Sequence, residues 1–148
     1  MGHWFSPHAQ THPPATAGGT DYCMKLFTIE EANALLPSVR EILQKIRHSR
    51  RRLNGYRHAA QQAAEGAEQG GGGMEGGGLY AVIITNFTTE MSELEGLGVQ
   101  LKDFDRGLVD FPSLREGRVV LLCWQLGEGD ELEWWHDMDA GFGGRTPL

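Results

Sequence analysis

Cysteine is nearly absent: Cys23 and Cys123 are the only two in 148 residues. With no CxxC pair and no dense cysteine framework, the chain encodes neither a disulfide-built scaffold nor a four-cysteine metal or redox module. Cys123 sits inside Val119-Val120-Leu121-Leu122-Cys123-Trp124, and a thiol in such a run reads as a buried free cysteine. No apolar run reaches the roughly 18 residues a membrane-spanning helix needs. The N-terminus lacks a basic start followed by an apolar core, so a secretory signal is not expected and a cytoplasmic location is. Basic charge is also in deficit. Lys and Arg number 13 against 20 acids, a net charge of −7, and phosphate binding needs a basic surface. The glycine run lacks a following GK[ST] and has no preceding strand, which excludes a phosphate loop. No GxSxG nucleophile and no internal repeat are present.

What is present reads as one small α+β domain behind a tail. Residues 1–23 hold Pro7, Pro13, Pro14, three histidines and small residues without apolar periodicity. They are expected to be a disordered extension before a natural start at Met24. The domain spans 24–148, and a flexible glycine-rich loop is expected at 66–78. Thr28-Ile29-Glu30-Glu31 is a capping box that opens a short helix. Pro37 should break or kink it and open the next helix. That second helix carries Val39, Leu43, Ile46 and Leu53 on one face and arginines on the other. A third helix from about Leu79 repeats Tyr80, Ile83, Phe87, Met91 and Leu94 every three or four residues. Its Glu90, Glu93 and Glu95 could face the arginines.

The rest is strand-like. Val99–Lys102 and Leu108–Phe111 are short runs, the second stopped by Pro112. Arg118–Leu126 is continuously apolar, as a central strand buried on both faces would be. Glu131–Asp137 returns after a turn at Gly127–Asp130, with Leu132, Trp134 and His136 on one face. Residues 140–148 read as an irregular tail. The expected architecture is an antiparallel two-helix hairpin packed on a small three- to four-stranded antiparallel sheet. Such a hairpin leaves apolar surface uncovered, so a homodimer through the helices is expected.

One cluster carries chemistry. Glu133, His136 and Asp139 lie within seven residues, and carboxylates with an imidazole are a ligand set for a divalent metal. Strand alternation points Glu133 and His136 apart, but a turn after His136 would bring His136 and Asp139 together. The wider candidate site is Asp110, His136, Asp139 and Arg145. Here His136 would act as an oriented base and Arg145 would hold an anion. The bland alternative is a histidine packed on Trp134. His48 to Arg52 with Arg57 forms a basic strip. It is better explained as a solvated helix face than as a nucleic-acid site.

Several short stretches fall in an order that resembles a known family. They are Lys25-Leu26-Phe27-Thr28, Glu31-Ala32-Asn33, Leu35-Leu36-Pro37, Gly98-Val99 and Leu101-Lys102-Asp103. Then come Gly107 to Pro112, Leu122-Cys123-Trp124 and Trp135-His136, followed by Gly141-Phe142, Gly144-Arg145 and Pro147-Leu148. Over about residues 24–148 the chain resembles the bacterial domain of unknown function numbered 2203. The resemblance implies an uncharacterised bacterial protein and supplies no activity. Some members are loosely labelled as cell-division-like, which reflects the helical part and not a function. Three functions are weighed, in this order. The first is a helical interaction or scaffold module with a protein partner. The second is a metal or acid–base site at the C-terminal cluster. The third is weak nucleic-acid binding through Arg47 and Arg50, Arg51 and Arg52.

Overall fold

A computed structural model describes residues 24–67 and 77–148. Helix α1 spans Ile29–Ala67 and α2 spans Gly77–Gly96. Five strands follow: β1 Gln100–Asp103, β2 Leu108–Arg115, β3 Arg118–Gln125, β4 Trp134–Asp137 and β5 Thr146–Pro147. They form one antiparallel meander in the order β1-β2-β3-β4-β5. The α+β architecture is as expected, with one strand more. The extra strand lies in the tail read as irregular, where a 3-10 turn at Phe142–Gly144 leads into β5 against Trp134 and Trp135. The readings on residues 1–23 and on the centre of the glycine-rich segment lie outside the described residues. At the margins of that segment the helices run on, to Ala67 and from Gly77.

The capping box forms. The Thr28 amide donates to the Glu31 carboxylate at 2.9 Å, and the Glu31 amide donates to the Thr28 hydroxyl at 3.1 Å. Pro37, however, does not end the helix: α1 is continuous through it. Leu36 and Val39, on either side of the proline, are fully buried. Burying such side chains contributes about 1.5–3 kcal/mol each, comparable to the roughly 3 kcal/mol that an internal proline costs. Two arginines of α1 turn to the sheet rather than to α2. Arg40 pairs with Asp130 at 2.8 Å and Arg50 with Asp105 at 3.1 Å, both in loops of the sheet. Glu90 of α2 instead accepts from the Ser49 hydroxyl at 3.1 Å.

Pro112 does not stop β2 either. The Phe27 amide donates to the Pro112 carbonyl at 2.8 Å, so this residue's backbone groups point away from β3. Its missing N–H therefore falls on the open side of the strand, where no ladder bond is lost. The turn from β2 to β3 has two central residues, Glu116 and Gly117, both with positive φ (52° and 76°). That is the two-residue hairpin geometry whose twist matches the strands. It sets the register: Arg115 opposite Arg118, and hence Asp110 opposite Cys123.

Alternation then sorts the sheet. Val109, Phe111, Leu122 and Trp124 join Ala32, Leu36, Val39, Leu43 and Ile46 of α1, with Leu94 of α2, in the main core. Asp110, Leu121, Cys123 and His136 project to the other side.

Candidate metal centre

On the face turned from the helices, three adjacent strands each contribute one polar side chain. Asp110 comes from β2, its cross-strand partner Cys123 from β3, and His136 from β4 opposite Leu121. All three are buried, at 2%, 0% and 3% exposure. One ligand atom from each lies within 4.8 Å of the other two.

The histidine is oriented. Its Nδ1 lies 2.8 Å from the Asp137 carbonyl oxygen. A carbonyl can only accept, so Nδ1 carries a proton. In the neutral ring the Nε2 lone pair is then left facing the Asp110 carboxylate, whose Oδ1 is 3.3 Å away. Two acceptors confront each other there unless a proton, carried by either group, or a cation lies between them. The Lys102 ammonium is the nearest fixed charge, 3.9 Å from the other oxygen of Asp110. That long contact only partly offsets a buried carboxylate.

Cys123 is held as the neutral thiol. Burial, reinforced by the nearby Asp110 carboxylate, pushes it up to about 12 from its ordinary 9.0, against the opposing charge of Arg145. It is therefore no nucleophile in the metal-free protein. A metal ion would reverse this, because a coordinating thiol loses its proton outright.

The donor set is one sulfur, one imidazole and one carboxylate. That set suits zinc, which binds each of these ligand types. With zinc–ligand distances of roughly 2.0–2.3 Å, the edges of a tetrahedral site are about 3.3–3.6 Å long. The Asp110–His136 edge already has this length. The hydrogen bond from Nδ1 to a backbone carbonyl is the usual outer support of a metal-binding histidine.

Of the residues the sequence put forward, the structure brings Asp110 and His136 together. Arg145 lies beside them, but it is spent on Glu128, with bonds of 2.7 and 2.9 Å. It also donates to the Cys123 carbonyl at 3.4 Å and lies over the rings of Trp134 and Phe142. An arginine so engaged is a clasp for the C-terminal segment. Glu133 and Asp139 are exposed and stand apart from the group. The residue that sequence reasoning set aside is Cys123. Its burial was foreseen, but its neighbours follow only from the register that Glu116-Gly117 imposes.

A family described as "Uncharacterized conserved protein (DUF2203)" has a model that matches residues 25–148, and the chain belongs to that family. No curated protein and no solved structure matches the chain.

Proposed function

We propose that this protein binds a transition-metal ion at Asp110, Cys123 and His136, and that zinc is the ion. The observation that carries the reading is the direction of the histidine. With Nδ1 committed to the Asp137 carbonyl, the neutral ring directs its Nε2 lone pair into a buried space bounded by a carboxylate and a thiol. The three ligands come from three consecutive strands, so the ion would tie β2, β3 and β4 together. It would also relieve the unfavourable facing of Nε2 and Asp110. Three protein donors leave a fourth position for water or a small ligand. A Cys–His–Asp nucleophilic reading fits less well, because the thiol is fully buried and strongly held in its neutral form.

Elemental analysis of protein purified without a metal-binding tag tests this. One zinc per chain is expected, falling to background in Cys123→Ser and His136→Ala. Glu133→Gln and Asp139→Asn, both exposed, should retain it. A wild-type protein that takes up no zinc, even after refolding with the ion, would overturn the proposal.

A further inference from the structure

Residues 138–144 join β4 to β5 and cross the outer face of the sheet as a strap. The Phe142 ring meets guanidinium groups from both flanks of the polar trio. Arg106, in the turn before β2, has its Cζ 5.2 Å from the ring centre, and Arg145, just before β5, has its Cζ 4.7 Å away. To touch both, the strap leaves β4 and passes over the ends of β3 and β2. Arg145 lies beneath it. Its guanidinium also lies over the ring of Trp134, the cross-strand partner of Cys123, bonds Glu128 and donates to the Cys123 carbonyl. Phe142 thus closes a stack that stands beside the cysteine.

Little else holds the strap down. Its backbone hydrogen bonds are local: the Ala140 amide donates to the Asp137 carbonyl at 3.1 Å, Gly144 to Gly141 at 3.1 Å and Arg145 to Phe142 at 3.4 Å. Met138 is 48% and Phe142 40% exposed, so the closure depends on one side of one ring. Gly141 turns the chain at φ 60° and ψ −166°, a region open essentially to glycine alone. Few buried contacts and short-range hydrogen bonds mark a segment that opens without unfolding the rest of the domain. Helix α1 packs on the other side of these strands. The outer face is therefore the side from which an ion or a reagent reaches the trio.

We propose that the strap is the gate of the buried trio, hinged at Gly141 and latched by Phe142, and that its opening sets how fast a metal ion or a thiol reagent reaches Cys123. For the metal, this rests on the zinc reading above. For the thiol reagent it does not, because the same barrier stands before Cys123 in the metal-free protein.

The test is the rate at which iodoacetamide labels Cys123 in the metal-free full chain carrying Cys23→Ser, which removes the other thiol. Phe142→Ala is expected to label about tenfold faster than this parent, the effect of losing two ring–guanidinium contacts, with unchanged circular dichroism. Phe142→Tyr, which keeps a ring on the stack, should label at the parent's rate. At low denaturant the rates should be flat, as local opening requires, and climb only near the unfolding transition. In zinc-loaded protein, transfer of the ion to excess 4-(2-pyridylazo)resorcinol should quicken by a similar factor in Phe142→Ala. Equal labelling of Phe142→Ala and its parent would overturn the gate, and so would a rate that follows global unfolding from the lowest denaturant upward. Faster labelling in a protein that takes up no zinc would support the gate and sink the zinc reading alone.

Discussion

At the scale of single residues, the protein invests most in Cys123. A thiol pushed up to about 12 is inert toward alkylation at neutral pH. Iodoacetamide should label it in the native metal-free protein far more slowly than a free thiol, and at the ordinary rate in denaturant. The shift also sets a pH dependence. Between about 9 and 12 the folded chain keeps a proton that the unfolded chain has lost, so stability falls as pH rises through that window. Below about 9 both states are protonated and this group contributes no slope. The denaturation midpoint of metal-free wild type should therefore drop more steeply above pH 9 than that of Cys123→Ala. Neither result could have been read from the sequence. A cysteine in an apolar strand announces burial, and nothing local announces that an aspartate lies opposite it. His136 was legible as a candidate because it is a lone imidazole among acids, and Asp110 was named with it beside the sequence neighbours Glu133 and Asp139. Its actual partner, Asp110, is 26 residues away and reaches it across β3.

At the scale of elements, turn chemistry decides the site. Glu116 has φ 52°, a conformation that asparagine or glycine adopts with less strain. Glu116→Asn should stabilise the protein by up to about 1 kcal/mol, measured by denaturant unfolding. Gly107 is the opposite case. It has φ 63°, and an added Cβ would meet Leu126 Cδ1 at 2.5 Å. Gly107→Ala should destabilise by about 1–3 kcal/mol, combining left-handed strain with overpacking. The helical stretches and four of the five strands were legible from periodicity and capping. The errors share one cause, since each local breaker was outvoted by packing. Pro37 sits between two buried side chains, Pro112 turns its missing donor to the open side of β2, and β5 is held only by β4. Ending β2 at Phe111 hid the Glu116-Gly117 hairpin, and with it the pairing of Asp110 with Cys123.

At the scale of the molecule, the sheet is a shared wall. One side carries the helices and the other carries the polar trio beneath the clasp of Arg145. The core side has the larger packing stake: Trp124 and Phe111 are fully buried, and truncating either to alanine should cost about 3–5 kcal/mol. The trio side contributes through the ion. A ligand that binds only the folded chain stabilises it by mass action. Zinc should therefore raise the melting temperature of wild type and leave that of Cys123→Ser nearly unchanged. The most direct test of the account is X-ray absorption at the zinc edge on protein loaded with one equivalent of zinc. The account predicts one sulfur at about 2.3 Å, with the remaining ligands nitrogen or oxygen near 2.0 Å, and loss of the sulfur shell in Cys123→Ser. A first shell of nitrogen and oxygen alone, identical in wild type and Cys123→Ser, would contradict it.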